Sequence, residues 1–298
     1  MTGNPYLVLS FASLCWSGNH IVGRALAGHL PPLTISTIRW LIPVLIIWAI
    51  AGGQVRKDMA AVRQHWGIML WLGLTGGTLF SALQYVGLQY TTALNVSILN
   101  SLVPVLIIVA GALIFRDRIR MVQVVGVSTS LLGVMTIITR GDLAVLRQLE
   151  LNLGDIITVF SMTVFAIYVA YLRLRPQMHW LTFLFVVGVI STVSTLPLAI
   201  REMACGQRVD VTVPTVLAAL YVGTFPSLLA FAALNRGVEL IGPNRSGPFL
   251  HLVPLFTALL ATLFLGEKLM AFHLLGLSLI LLGVWLAAGR APAPRRAA

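Results

Sequence analysis

Ten stretches of this chain each run for about 20 largely apolar residues, enough to cross the roughly 30 Å hydrocarbon core of a bilayer as a helix. They lie near Tyr6 to Leu26, Leu33 to Gly52, Trp66 to Leu88, Ala93 to Phe115, Met121 to Thr139, Gly154 to Leu172, Trp180 to Ile200, Pro214 to Leu234, Pro243 to Leu265 and Ala271 to Gly289. In lipid every backbone N–H and C=O must be bonded within the protein, so windows of this length imply helices. Composition agrees: 58% of the 298 residues are hydrophobic and 10% charged, against about 25% charged in soluble domains. The expected fold is an all-α integral membrane protein with ten transmembrane helices. The first window is too long for a removable signal peptide and lacks its basic n-region and cleavage site, so it is expected to remain as a span. Cys15 and Cys205 form no framework or metal spacing and read as free thiols.

The second half of the chain repeats the first without a gap. Gly87, Leu102, Val103, Pro104, Gly126, Leu131, Leu132, Gly133 and Val134 recur 150 positions later as Gly237, Leu252, Val253, Pro254, Gly276, Leu281, Leu282, Gly283 and Val284. Five windows fall in each copy, an odd number, so the second copy must enter the bilayer from the opposite side. The expected organisation is two inverted five-helix repeats around a central cavity, residues 1–145 and 150–290, with a disordered cytoplasmic tail at 291–298. Inverted repeats of this kind are a common transporter plan.

Charge placement orients the spans. One set of alternate loops carries twelve basic residues, Arg56, Lys57, Arg63, Arg116, Arg118, Arg120, Arg173, Arg175, Arg236, Arg290, Arg295 and Arg296. The other carries six: Arg24, Arg140, Arg147, Arg201, Arg208 and Lys268. The positive-inside rule then puts both termini in the cytoplasm. The net charge of +11 is spread over loops rather than gathered in a patch, which is a topology signal and speaks against nucleic-acid binding.

Polar side chains inside spans have no use for lipid and are expected to face a partner or a cavity. Trp16, Asn19 and His20 stand at i, i+3 and i+4 of the first span, on one face. The third span offers Ser81, Gln84 and Tyr85; the fourth, Ser97, Asn100 and Ser101, after Asn95 at its mouth; the sixth, Phe165, Tyr168 and Tyr171; the ninth, Ser246 and His251. Against these stand plainer readings: serines that bond their own helix, histidines in an interhelical hydrogen bond, tyrosines of the core. Pro104 and Pro254 fall near mid-span at matched positions, where a proline bends a helix and can serve as a hinge or as a static kink. All nine carboxylates lie at or near span ends, so a proton carrier in mid-membrane would have to be His20 or His251.

Leu14-Cys15-Trp16-Ser17-Gly18-Asn19, with Pro32-Leu33 and Arg39-Trp40, resembles the opening of an EamA repeat. Leu265-Gly266-Glu267-Lys268, with His273, Gly276, Gly283 and Val284, resembles its close. Over its whole length the chain resembles the drug/metabolite transporter superfamily, and within it most of all the aromatic amino acid exporters of the YddG type. The resemblance implies a ten-helix exporter in a bacterial inner membrane that moves aromatic and other neutral amino acids outward. Trp16 and Asn19 match the first-span motif, Arg39 its arginine and Glu267 the closing acid; Arg39 and Glu267 read as structural anchors. The first half departs from the closing motif at Arg116 and Asp117, and the second from the opening motif at Ala166 and Val189.

The expected function is therefore export by alternating access. Trp16, Phe165, Tyr168 and Tyr171 would stack on a substrate ring and attract its ammonium, while Asn19, Asn100 and His251 bond its polar end. His20, Gln84, Tyr85, Ser101 and Ser246 complete the expected binding residues. A multidrug or other metabolite exporter of the same superfamily is the nearest rival. An intramembrane enzyme is remote, because neither His-Glu-x-x-His nor Gly-x-Ser-x-Gly is present. The expected partners are a small-molecule substrate and the lipid bilayer, with no nucleic acid, no metal and no cofactor, and with a monomeric state left open.

Overall fold

A computed structural model describes residues 4–117, 121–142, 152–207, 209–241, 249 and 252–288. Among these there is no strand. The helices are α1 (Pro5–Ala25), α2 (Pro32–Gln64), α3 (Trp66–Leu72), α4 (Phe80–Tyr90), α5 (Ala93–Asn100), α6 (Val103–Phe115), α7 (Met121–Ile138), α8 (Leu153–Tyr171), α9 (Trp180–Ala204), α10 (Val213–Thr224), α11 (Ala230–Ile241), α12 (Leu252–Phe264) and α13 (Ala271–Ala288). Starts are marked by side chains that satisfy orphan amides. Asn4 accepts from Tyr6 N, Thr92 from Asn95 N and Asn152 from Gly154 N, and Thr212 and Thr215 form a reciprocal capping box.

Among the described residues, five stretches are long and apolar enough to span a membrane: Pro32–Gln64, Trp66–Tyr90, Leu153–Leu174, Trp180–Ala204 and Val213–Leu234. A sixth is the pair α5 and α6, which together cover the expected fourth span but are bent by 50° at Ser101 and Leu102. Pro104 stands in the first turn of α6, and the break lies in the residues just before it, where a proline's missing N–H leaves the carbonyl four residues back, that of Asn100, without an intrahelical donor and a proline ring crowds that carbonyl. Pro254 lies in α12, whose described part begins at Leu252. The prolines inside helices are Pro43 of α2 and Pro197 of α9.

Large apolar side chains are exposed and several polar ones are buried. Leu113, Leu132 and Leu263 are 62–78% exposed, whereas Arg39 and His20 are 4% and 3% exposed. An apolar exterior around a polar interior is stable when the surrounding medium is hydrocarbon. The chain is a multi-pass membrane protein.

Two features of the backbone bear on the site. Helices α3 and α4 are joined by a π-helical turn, Gly73–Leu79, and α10 and α11 by another, Phe225–Leu229. Subtracting 150 from 225 and 229 gives 75 and 79, so the second turn falls within the repeat image of the first. Helices α7 and α13 meet backbone to backbone: a Cβ at Gly133 would lie 2.6 Å from the Gly276 carbonyl, and one at Gly276 would lie 3.0 Å from the Gly133 carbonyl. Gly283 meets Gly126 in the same way, and Ser130 Oγ donates to the Ile280 carbonyl at 3.1 Å. Partner numbers fall along one helix as they rise along the other, so the two run antiparallel, with small residues admitting the close approach.

Candidate functional site

The expected face of α1 docks on α4 two residues against two. Tyr85 OH donates to Asn19 Oδ1 at 2.8 Å, and Gln84 Nε2 lies 3.2 Å from His20 Nε2. Asn100, the last residue of α5 before the bend, brings its Nδ2 to 2.8 Å from the same imidazole nitrogen. With Nε2 accepting from amide donors, the ring proton belongs on Nδ1. That nitrogen is buried and has no hydrogen-bond partner among the described residues, and neither has Asn100 Oδ1. Among the described residues the centre thus holds a donor and an acceptor that its side chains do not use.

Arg39 and Trp40 of α2 close the other side. Arg39 Nε donates to Ser227 Oγ at 3.1 Å, and its Nη1 reaches Tyr85 OH at 3.5 Å. The chain Ser227, Arg39, Tyr85, Asn19 thus crosses from the second π-turn to α1. The π-turns supply acceptors for both tryptophans: Trp40 Nε1 donates to the Gly77 carbonyl and to Ser81 Oγ, each at 3.0 Å, and Trp16 Nε1 donates to the Pro226 carbonyl at 3.1 Å. Widening a helix by one residue per turn turns carbonyls away from the axis, which is why such turns recur at functional sites.

The aromatic stripe of α8 stands beside this centre rather than in it. Phe165 packs on Phe80 at 4.4 Å between ring centroids and on Tyr168 at 5.5 Å. Tyr168 is buried in one apolar cluster with Trp40, Phe183 and Val187, and its ring packs against Gly76 of the first π-turn, where a Cβ would clash with it. Tyr171 lies further along, against Trp71 and Phe115. Trp16 packs edge-on against Phe231. Asn19, His20, Gln84, Tyr85 and Asn100 are therefore brought together, and Trp40 links them to Tyr168 and Phe165. Ser101 is buried at the bend between α5 and α6. Ser246 and His251 lie outside the described residues.

Sequence reasoning missed Arg39, Trp40 and Ser227 as members of the centre. An anchor near a span end would snorkel to the interface or pair with an acid. Arg39 does neither, being buried and with no carboxylate within 4 Å among the described residues. Its signal is one of register: Arg39 lies seven residues, or about 10 Å at 1.5 Å per residue, inside α2. Ser227 carries no signal of its own, because its place depends on the π-turn.

A polytopic helical protein with an apolar exterior and a hydrogen-bonding centre enclosed among its spans belongs with membrane carriers. The model of the EamA-like transporter family matches residues 4–139 and again residues 152–289. The chain belongs to the EamA-like transporter family and is a membrane transporter.

It is similar over nearly its whole length to proteins named as uncharacterised transporters. It is 24% identical to YyaM of Bacillus subtilis (strain 168), over 96% of this chain and 94% of that one. It is 27% identical to a transporter of Archaeoglobus fulgidus, over 96% and 98%, and 25% identical to YetK of Bacillus subtilis, over 94% and 85%. A solved crystal structure shares the fold with a TM-score of 0.62 at 19% identity, covering 95% of this chain and 96% of that one. None of these names specifies a substrate.

Proposed function

We propose that this transporter exports small metabolites, aromatic and other neutral amino acids above all, by alternating access between two inverted five-helix repeats that make ten spans. The double match of the family model supports two repeats. The antiparallel contact of α7 with α13 supports their inversion: Gly126 meets Gly283 and Gly133 meets Gly276, while 276 is 126 plus 150 and 283 is 133 plus 150. A crossed pairing of equivalent residues is what a two-fold axis between the copies produces. The loop charges support a bacterial inner-membrane protein with both termini cytoplasmic.

The observation that carries the substrate reading is the unused donor and acceptor at His20 Nδ1 and Asn100 Oδ1, buried and bordered through Trp40 by the aromatic surface of Tyr168 and Phe165. A small molecule with a polar head and a ring would satisfy both sides. On this reading Trp16, Tyr171, Ser101, Ser246 and His251 complete the walls, and Pro104 and Pro254 open the helices that move. The test is counterflow from liposomes holding the purified protein, with each of the twenty amino acids in turn. Exchange of aromatic and neutral members is expected, and no exchange of any amino acid would overturn the substrate assignment.

A further inference from the structure

Arg39 is the buried arginine among those described: Arg56 and Arg175 lie over the rings of Trp48 and Phe183 but are exposed. Arg24 ends on the carbonyls of Leu88 and Gln89 at 2.7 and 3.2 Å, and Arg173 pairs with Asp117 at 2.9 Å. Arg39 is buried deeper than either, yet it has one neutral hydroxyl at 3.1 Å, a second at a slack 3.5 Å, and two aromatic rings 5.8 and 6.0 Å away. Those rings stand at the outer limit of a useful cation–π contact. Its Nη2 makes no hydrogen bond among the described residues. Among the described residues the buried or half-buried acids are committed elsewhere: Glu202 and Glu267 bond backbone amides of α2 and α5, Asp58 bonds the start of α9, and Asp155 bonds Thr91 and Asn95. A guanidinium held among spans without an anion is expensive, and truncating such a charge is tolerated better than keeping it unless something else answers it.

We infer that Arg39 is the anion-binding residue of the transport site, and that the substrate is a carboxylate whose oxygens take the unused guanidinium edge. The planar fork of arginine fits a carboxylate with two parallel hydrogen bonds, a geometry that lysine cannot copy. Ser227 and Tyr85 aim the fork, and Tyr85 passes its orientation through Asn19 to the helix that carries His20. This inference rests on the reading of the buried centre as the substrate site, and it narrows the substrate class to molecules with a free acid.

The test is binding and counterflow competition with the purified full chain, using four probes: L-phenylalanine, 3-phenylpropionate, L-phenylalaninamide and phenethylamine. The two acids are expected to compete about tenfold or more better than the amide and the amine, the worth of a charge-assisted hydrogen bond. Arg39→Gln is expected to erase that preference while ring recognition persists, and Arg39→Lys to restore part of it. Equal competition by phenylalanine and its amide in the unaltered protein would overturn the inference, as would a preference that survives Arg39→Gln. The comparison within the unaltered protein decides even if Arg39→Gln does not fold. If no amino acid is exchanged while 3-phenylpropionate still outcompetes phenethylamine, the amino acid reading fails and the role of Arg39 stands. Amino acid exchange with no preference for the acids would instead overturn the role of Arg39 and leave the amino acid reading in place.

Discussion

Glu202, near the end of α9, receives the backbone N–H of Thr34 on its Oε2 at 2.9 Å and the Thr34 hydroxyl on the same oxygen at 3.1 Å. Its Oε1 takes the Leu33 amide at 3.1 Å, so one carboxylate caps the first turn of α2. The favour is returned at the other end, where Asp58 of α2 receives the His179 amide at 3.1 Å and the Thr182 hydroxyl at 2.7 Å at the start of α9. Each helix of the pair thus neutralises the positive end of its neighbour's dipole. Glu202→Ala strips two amides and a hydroxyl of their acceptor at once and is expected to cost about 1–2 kcal/mol. Thermal unfolding in detergent measures this. An additive loss on combining it with Thr34→Val would show that the two residues do not act together.

The π-turns give a prediction of contrasting size. Gly53 lies two residues past a kink at Ala51 in α2 and has nothing within 4 Å of its Cβ position, so Gly53→Ala should be accommodated with a change of less than about 1 kcal/mol. At Gly77 the added methyl would fall on Ser191 Oγ and Val187, and at Gly76 on the Tyr168 ring. Alanine at either position should destabilise by about 1–3 kcal/mol as α8 or α9 is pushed away. Unfolding midpoints of the three variants decide it, and a stabilised Gly76→Ala would mean that the turn does not pack as described.

How much of this was legible follows from what periodicity can carry. That Trp16, Asn19 and His20 share a face was readable, because residues three and four apart share a side in any helix, but that this face bonds Gln84 and Tyr85 depends on how the spans pack. The 50° bend was legible in part: a proline disturbs the turn before it, so Pro104 marks a break near Ser101 and Leu102 but not its angle. The π-turns are invisible to hydropathy windows, which do not register one extra residue in a turn. Their trace is local: Gly73, Gly76 and Gly77 in one copy, Pro226 in the other. The place of Arg39 escapes the sequence because a span boundary uncertain by a few residues decides between a snorkelling anchor and a buried cation.

The Asp117–Arg173 pair offers a pH prediction with a defined sign. Hydrogen bonds from Arg173 and its charge hold the exposed Asp117 carboxyl below its ordinary value of 3.8. A depressed folded pKa means that the pair's stabilisation is present above pH 3.8 and fades as the pH falls through the folded value. The difference in unfolding midpoint between the unaltered protein and Asp117→Asn should therefore be small at neutral pH and vanish on acidification. It should also shrink in high salt, because both side chains are about half exposed. A difference that grows as the pH drops would contradict the assignment of Arg173 as the cause.

Asn100 separates a packing role from a transport role. Its Nδ2 meets His20 Nε2 at 2.8 Å, but its Oδ1 is buried with no acceptor bond made among the described residues. Replacing a half-satisfied buried amide by an apolar side chain of similar size removes one hydrogen bond and one desolvation penalty together, which leaves stability nearly unchanged. A substrate that uses Oδ1, or the His20 Nδ1 proton that Asn100 helps to orient, loses a partner with nothing in exchange. Asn100→Leu is accordingly expected to fold with an unfolding midpoint close to that of the unaltered protein while counterflow drops by about tenfold or more. His20→Phe removes the donor directly and should also lose counterflow, but it strips Gln84 Nε2 and Asn100 Nδ2 of their acceptor, so its unfolding midpoint is expected to fall as well. Counterflow that survives both changes would take His20 and Asn100 out of the substrate path and leave them as polar contacts between α1, α4 and α5.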